Sequence, residues 1–445
     1  MPKARASIGP DLPALPERRA RGHAVRERLA RSAHAVWSPP PGRRDPVAMV
    51  LEAEHGRLQA MLPQRHARMR ADMFGFLRGS AIVMAADLGS QPHTGLMVQA
   101  CGDCHLLNFG AYAAPDGQPV FDVNDFDETL PAPFEWDLKR LVASIAAASL
   151  VRGGHGKIAR TLARRAAHAY RRHMHDLALV PPLDAWRSRI ALDGAIEDIA
   201  DRAVRRHERQ RLTEAVEASG ADYRKLIAGD GLRLREDRPG MVRLPAHEQT
   251  AHAAFTAYLD SLSEERQALL RRYRLQDVVF KAVGVGALGT FCALGLFVSG
   301  DGDPLLLQLK QAQPSVLAPY AGASAYAHQG QRVVVGQRLM QAASDVFLGW
   351  TPTPGGGPQF YVRHLRDAKL AAIGVALEEE SLRFYAKLCG QTLARAHARS
   401  ADPAVIAGYM GESDAMDDAL AEFAFAYAEQ VRADHAAFAA RKDLT

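Results

Sequence analysis

The 445-residue sequence has little cysteine and no long hydrophobic run. Its four cysteines, Cys101, Cys104, Cys292 and Cys389, are too few and too scattered for a disulfide scaffold. No apolar stretch reaches the length that spans a bilayer, and the first 45 residues lack the apolar core of a secretory signal. These absences exclude the disulfide-rich secreted and membrane-spanning classes. They predict a cytoplasmic protein without a membrane partner.

The charge balance is that of an ordinary globular protein. The chain has a net charge of +5, with 48% hydrophobic and 24% charged residues, and its length suffices for two or three domains. Much of the excess charge lies in the arginine-rich stretch 2–34, where no aromatic residues are interleaved to stack on bases. We therefore predict a solvated, partly helical extension, and we do not expect nucleic acid as a partner.

Residues 101–140 carry the chemistry of the chain. Asp103 is followed by Asn108, then by Asp125 in the segment VNDFDE and by Asp137 in WDLKRL. Phosphoryl transfer needs few protein groups, namely a carboxylate that orients the attacking hydroxyl and an Asn and an Asp that hold a metal ion on the phosphates. The residue types and their order both fit that reaction.

The segments GDCHLLN, VNDF and WDLKRL resemble the motifs of the aminoglycoside- and choline-phosphotransferase branch of the protein-kinase-like superfamily. Its pattern is close to HGDxHxxN, then a strand ending in IDF or IDW, then a DL pair opening a helix. The resemblance implies that Asp103 is the catalytic base and that His105 helps to order the catalytic loop. It also implies that Asn108 and Asp125 bind the metal and that Asp137 braces the loop.

Four carboxylates crowd the segment that contains Asp125; they are Asp122, Asp125, Asp127 and Glu128. On a strand, Asp125 and Asp127 point the same way, because alternate residues share a face. Clustered carboxylates repel one another unless a cation compensates them, and Mg²⁺ suits an oxygen-only site that also uses substrate phosphate. Asp127 is therefore a third candidate metal ligand. The alternative is a solvated acidic turn.

A glycine cluster at Gly284, Gly286 and Gly289 lies between two β-rich runs, and a third run ends in Lys310. In a kinase-like site such a GxGxxG turn covers the ATP phosphates, and the strand lysine pairs with them. A dinucleotide-binding fingerprint needs a helix after the glycines, whereas TFCALGLFVSG favours a strand. A glycine-rich hairpin without a ligand stays open as an alternative.

The partner expected for Lys310 is missing. A kinase lysine is normally held by a glutamate on the following helix, yet no glutamate occurs between Lys310 and Glu378. Either Gln337 or Gln341 substitutes through a neutral hydrogen bond, or another acid does so. This departure favours, as an alternative, a nucleotide-binding regulator without turnover.

Two further motifs allow competing interpretations. The spacing in CGDCH also suits covalent haem attachment or zinc, but an export signal and further zinc ligands are not evident. Arg78 in FGFLRG is either a helix-surface arginine or a bidentate partner for a phosphate or carboxylate.

The order of the parts predicts a permuted fold. In the phosphotransferases a helix ending much like LARAHA directly precedes the catalytic loop, whereas here that helix ends near residue 400. The sequence is also similar, over nearly its whole length and including FGFLRG and GQRLMQAASDVFLGW, to the bacterial domain of unknown function 2252, which implies no activity. We expect an α+β, protein-kinase-like, two-lobed fold that is circularly permuted, with the catalytic-loop half before the nucleotide lobe and with a helical insertion.

The expected divisions are an N-terminal extension, the catalytic-loop and metal-site half, a connecting helical region, the nucleotide-binding lobe and a C-terminal helical segment. Their respective ranges are 1–45, 46–175, 176–265, 266–400 and 401–445. The predicted function is ATP- and Mg²⁺-dependent transfer of a phosphoryl group to a hydroxyl, with a small molecule as acceptor. Nucleotidyl transfer at the same metal site is a further alternative.

Overall fold

The computed structural model shows a chain of helices and antiparallel sheets. It describes residues 13–197, 199, 201–219, 223–229, 231–237, 240–281, 289–351, 357–365 and 379–444.

The helices in the described residues are α1 (Leu15–Ala24), α2 (Pro46–Glu52), α3 (Leu62–Ala71), α4 (Met73–Gly79), α5 (Ala81–Gly89), α6 (Phe134–Val151), α7 (Gly156–Leu177), α8 (Pro182–Arg187), α9 (Leu192–Glu197), α10 (Arg202–Ser219), α11 (Pro245–Tyr258), α12 (Glu264–Leu270), α13 (Ala318–Ala321), α14 (Gln329–Met340), α15 (Glu379–Ala398), α16 (Pro403–Met410) and α17 (Ala415–Ala439). The strands are β1 (Met97–Ala100), β2 (Phe109–Ala113), β3 (Pro119–Val123), β4 (Leu130–Pro133), β5 (Ile190–Ala191), β6 (Met241–Val242), β7 (Tyr273–Lys281), β8 (Cys292–Ser299), β9 (Pro304–Gln311), β10 (Gly349–Thr351) and β11 (Phe360–His364).

The strands form three sheets, in which all the paired neighbours are antiparallel. β1 pairs with β4, and the order β2-β3-β5 makes a small second sheet. The large sheet has the order β10-β11-β9-β8-β7-β6. The predicted α+β class is therefore confirmed. Within the described residues, no helix combines the length and the apolar character that crossing a bilayer requires.

Helix α6 lies in the larger of the hydrophobic cores. Every residue from Phe134 to Ser149 is buried, and α7, α15 and α17 pack against the helix. A side chain such as Leu141, when fully buried, stabilises the fold by about 1.5–3 kcal/mol. Because polar groups in such surroundings need partners, the buried Asp137 and Arg140 on this helix must be paired. Both are paired with the loop that follows β1.

The large sheet has one apolar face and one face that turns polar near its end. On β9, the side chains of Leu305, Leu307 and Leu309 join a second hydrophobic core together with α11. Residues of a strand alternate between the faces, so Lys310 lies on the opposite one, and the neighbouring Tyr361 of β11 stands beside it in register. This face meets the acidic segment that follows β3.

The N-terminal segment is partly helical, as expected, but it packs on the rest of the chain, which corrects the expectation of a solvated extension for the described part of residues 1–45. Helix α1 packs on α16, and Arg26 and Arg31 donate to the backbone oxygens at the end of α16. Arg43 forms ion pairs with Asp87 and Asp434, and its side chain is only 13% exposed. A helix C-terminus favours cations because its last carbonyls are unpaired. Arg26, Arg31 and Arg43 therefore attach this segment to helices α5, α16 and α17.

Candidate functional site

The loop between β1 and β2 is a tightly held turn. Gly102 has a φ of +86°, and a Cβ at this position would lie 2.3 Å from the carbonyl oxygen of Glu128, so the turn requires glycine. The carboxylate of Asp137 accepts hydrogen bonds from the backbone nitrogens of Cys101 at 2.6 Å and Gly102 at 2.9 Å. His397 of α15 contacts the same carboxylate at 3.2 Å. The structure thus places Asp137 directly beneath the predicted catalytic loop.

Asp103 sits at the tip of this loop and is partly accessible, with 16% of its side chain exposed. Its Oδ1 accepts from Nε and Nη2 of Arg140 at 2.9 and 2.6 Å. Burial opposes ionisation of this carboxyl, but the charge of Arg140 and the hydrogen bonds from Arg140 outweigh it, so the pKa of Asp103 is lowered. Asp103 is therefore a fixed anion.

His105 and Asn108 order the loop from within. His105 Nδ1 accepts from the backbone nitrogen of Leu107 at 3.2 Å, and burial lowers the pKa of His105 to about 3, so the ring is neutral with its proton on Nε2. That nitrogen lies 3.8 Å from Asp103 Oδ2. Asn108 donates its amide nitrogen to the backbone oxygen of Asp103 at 2.7 Å. The amide oxygen of Asn108 is the atom left for a cation.

The acidic segment lies in a loop rather than on a strand, which corrects the expectation that four carboxylates share one strand. Strand β3 ends at Val123, and Asp122 faces the core, where it pairs with Arg395. The next residues turn back over the catalytic loop, since the backbone nitrogen of Asn124 donates to the oxygen of Asn108 at 2.9 Å. Asp125, Asp127 and Glu128 all line the cleft that also contains Asp103.

Lys310 reaches this acidic loop from the large sheet. Its Nζ lies 2.5 Å from Oδ2 of Asp127 and 3.6 Å from Oδ1 of Asp125. The hydroxyl of Tyr361 donates to the other oxygen of Asp127. Burial disfavours the ammonium, but the two carboxylates outweigh this effect and raise the pKa of Lys310 well above its usual value.

The expected substitutes for the missing glutamate do not contact Lys310. Gln337 donates to Gln341 at 2.9 Å, and Gln341 donates to the backbone oxygen of Val123 at 2.7 Å. Of the two alternatives that the sequence leaves open, the structure therefore favours another acid over a glutamine. Asp127 takes that place.

The carboxylates offer oxygens suited to a hard divalent cation. Oδ1 of Asp125 is buried and has no hydrogen-bond partner among the described residues, although 35% of the side chain is exposed. Burial raises the pKa of Asp125, whereas the charge of Lys310 and hydrogen bonds from Lys310 and Tyr361 outweigh burial and lower that of Asp127. A bound Mg²⁺ would coordinate this oxygen, which has no hydrogen bond of its own, and the amide oxygen of Asn108 would add a further oxygen donor.

Three arginines in the cleft wall were not predicted as a group. Arg57, Arg65 and Arg78 come from the segment between α2 and α5 and line the same cleft as Asp103. In the sequence they look like helix-surface charges, because nothing local marks them as buried. Of the three, the sequence singles out only Arg78 as a candidate anion ligand.

The glycine cluster is described only at its end. Gly284 and Gly286 lie outside the described residues. Gly289 has a φ of +90°, and its carbonyl oxygen accepts from the backbone nitrogen of Leu58 at 2.6 Å, while a Cβ would lie 3.1 Å from Cβ of Arg57. The end of the predicted phosphate turn is thus attached to the arginine-bearing wall of the cleft, and the neighbouring Thr290 lines the cleft.

The cysteines of the CGDCH motif are buried thiols. Cys101 and Cys104 are fully buried, and Cys101 Sγ contacts the backbone oxygen of Asp125 at 3.2 Å. Burial raises the pKa of Cys104 well above its usual value, which disfavours the thiolate that binds metals. Both thiols are buried groups of the predicted catalytic loop itself.

A protein-family model matches most of the chain. The family model described as "Uncharacterized protein conserved in bacteria (DUF2252)" covers residues 57–441, so the chain belongs to this family. No curated protein and no solved structure gives a match.

Proposed function

We propose that this member of the DUF2252 family is an ATP- and Mg²⁺-dependent phosphotransferase that acts on a hydroxyl of a small molecule. The observation that carries the proposal is that four of the predicted site residues line one cleft and that Lys310 contacts one of them, Asp127. Asp103, Asn108, Asp125 and Asp127 come from two neighbouring loops, and Lys310 comes from a sheet far along the chain. These are the groups that phosphoryl transfer requires, in the roles that the sequence order predicts.

In this mechanism Asp103 orients the acceptor hydroxyl. Arg140 donates to Oδ1 of Asp103 and keeps the carboxylate ionised, so Oδ2 is the oxygen that would accept the hydroxyl hydrogen bond. The lowered pKa makes Asp103 a weak proton acceptor, so orientation contributes more than early deprotonation. This suits a loose transition state, in which the nucleophile needs little activation.

Asp125, Asp127 and Asn108 would hold Mg²⁺, which neutralises charge on the transferring phosphoryl group. Lys310 would then exchange its partner, from Asp127 to the nucleotide phosphates. The end of the glycine turn at Gly289 would lie over those phosphates, where the absence of a side chain permits close approach of the backbone.

The end of helix α15 lies beside strand β1, and this adjacency supports a permuted kinase-like, two-lobed fold. The backbone nitrogen of Gln99 in β1 donates to Oγ of Ser400, just after α15, at 2.8 Å. The LARAHA helix therefore ends beside the strand that enters the catalytic loop, although 301 positions separate the two residues. In the phosphotransferases the corresponding parts are joined directly. A circular permutation accounts for this adjacency.

A nucleotide-binding regulator without turnover is the second candidate, and two contacts favour it. Lys310 pairs with a candidate metal ligand, Asp127, and Asp103 is occupied by Arg140. Both pairs must open or share their carboxylates for catalysis. Nucleotidyl transfer would use the same metal ligands and differs only in the phosphorus that is attacked.

Thermal unfolding with ATP, with Mg²⁺ and with both tests nucleotide binding. A ligand at one hundred times its Kd stabilises a protein by about 2.7 kcal/mol, which raises the Tm measurably. We expect a shift that needs both components and that Asp125→Ala abolishes, while the exposed turn variant Asp116→Ala keeps it. The absence of any shift at millimolar ATP would contradict both the enzyme and the regulator.

A further inference from the structure

The arginines in and near the cleft differ in the hydrogen-bond partners that the fold provides for their guanidinium groups. Arg65 is satisfied by the fold, because its Nε donates to Glu54 at 2.9 Å and its Nη2 donates to the backbone oxygen of Gly79 at 2.6 Å. Arg140 is likewise engaged with Asp103 and with the backbone oxygen of Leu77. These two arginines have structural duties that account for their burial.

Arg78 has no such satisfaction. It stands near the end of α4 in the cleft wall, and its Nε is buried without a hydrogen-bond partner among the described residues. The ring of Phe74, centred 5.9 Å from Cζ, covers one side of the guanidinium. A buried N–H without a partner costs about 1–3 kcal/mol, and an anion that accepts from Nε inside the cleft would offset this cost.

The electrostatic neighbours of Arg78 place it at the acceptor end of the cleft. Its positive charge acts on Asp103 and His105, the residues of the catalytic loop. Arg57, in contrast, interacts with Asp127 and Glu128 and adjoins the glycine turn, which is the nucleotide end. An anion on Arg78 would therefore lie beside the hydroxyl that Asp103 orients, and not beside the phosphates of ATP.

We propose that Arg78 binds an anionic group of the acceptor, so that the substrate class is hydroxylated small molecules that carry a phosphate or a carboxylate. This inference depends on the proposed phosphotransferase function. A guanidinium forms paired hydrogen bonds with either anion, and the ring of Phe74 lies against one side of it. The acceptor oxygen forms a bond to the γ-phosphorus as the bond to the bridging oxygen of ADP breaks. The hydroxyl proton leaves through Asp103 to solvent.

Three compounds with the same three-carbon hydroxylated skeleton test the class: glycerol 3-phosphate, glycerate and glycerol. Their binding is measured by calorimetry in the presence of Mg²⁺ and a non-hydrolysable ATP analogue, and ADP formation is measured with ATP. We expect at least one anionic compound to bind ten times or more tighter than glycerol. The stronger anion identifies phosphate or carboxylate as the recognised group.

Arg78→Gln should remove this preference, lowering the affinity for the anion ten-fold or more while the ATP analogue still binds with an unchanged Kd. Arg68→Gln is the matched control, because Arg68 is an exposed arginine of the adjacent helix α3 whose charge acts on Arg78. Arg78→Lys should retain part of the affinity, since it keeps the charge but loses the paired geometry.

The outcomes separate this inference from the proposed function. Equal binding of all three compounds, no binding of either anion at millimolar concentration, or an equal loss in Arg68→Gln would overturn the role of Arg78, even with normal ATP binding. Anion binding that depends on Arg78 in a protein that does not bind ATP would overturn the phosphotransferase instead. A lowered Tm in Arg78→Gln, with unchanged anion affinity, would show a structural arginine.

Discussion

Lys310 Nζ lies 2.5 Å from Oδ2 of Asp127, although 183 positions separate the two residues. The ammonium joins the large sheet to the acidic loop beside the predicted catalytic loop. It occupies the carboxylate that a metal ion would use, so lysine and metal compete for one ligand. This competition gives the pair a measurable signature.

Lys310→Met should destabilise the protein by about 3 kcal/mol, because it leaves the carboxylates of Asp125 and Asp127 close together without their cation. Mg²⁺ without nucleotide should then restore much of the loss, since the divalent ion takes the position of the missing charge. Urea unfolding with and without Mg²⁺ measures both effects. The exposed Lys157→Met serves as the control. Equal responses of both variants to Mg²⁺ would refute a metal site at these carboxylates.

The backbone of the catalytic loop allows a matched glycine test. Gly102→Ala should cost more than about 3 kcal/mol of unfolding free energy, because it adds a clash with the carbonyl oxygen of Glu128 to the left-handed φ. Gly117 has a similar φ of +80° but open space around it, so Gly117→Ala should cost only about 1–2 kcal/mol. Denaturant unfolding compares the two, and similar losses would mean that the loop yields to the added methyl group.

The candidate site was predictable where its residues belong to short, ordered motifs. Asp103, Asn108 and Asp125 lie within one run of the chain, and that locality makes the pattern visible without a structure. Lys310 was found because a strand alternation and a preceding glycine turn mark it. The helical and strand-like spacing of apolar residues predicts the α+β class. It does not predict the order of the strands in the sheets, because strand pairing depends on contacts between distant parts of the chain.

The residues and contacts that the sequence does not reveal are those that become buried through packing between distant parts of the chain. Arg140 lies inside the motif WDLKRL, yet only the enclosure of α6 on all sides turns it into the partner of Asp103. In the sequence, Arg57 and Arg65 resemble exposed charges. In the structure, both line the cleft that also contains Asp103 of the predicted catalytic loop. The prediction that Asp125 and Asp127 lie on a strand is wrong, because the strand ends at Val123 and the chain turns immediately after it.

Glu128 should make the stability depend on pH. Burial raises the pKa of Glu128 from 4.5 to about 7. Between these values the folded protein holds a proton that the unfolded chain has released. The contribution of this group is therefore fully present at low pH and is lost as the pH rises towards 7. Relative to the natural protein, the free energy of unfolding of Glu128→Gln should increase by up to about 3 kcal/mol as the pH rises through this range.

Urea unfolding of both proteins between about pH 4.5 and pH 8 measures this gain. The exposed Glu264→Gln is the control and should follow the natural protein at every pH. A gain for Glu128→Gln that does not vary with pH would show that packing, and not titration, is responsible.

Asp103→Asn separates the enzyme from the regulator. The amide keeps the size of the side chain and one oxygen that can accept from Arg140, so the fold and nucleotide binding should persist. The variant loses the charge that orients the hydroxyl and receives its proton, and ADP formation should fall by at least about 100-fold. Calorimetric ATP binding and a coupled ADP assay measure the two properties on one preparation.

Because Asp103 contributes nothing to nucleotide contacts in the proposed mechanism, a parallel loss of ATP binding in Asp103→Asn would place this residue at the nucleotide end of the cleft and reverse the assignment of the two ends. An unchanged low rate of ADP formation in both proteins, with intact ATP binding, would identify the regulator.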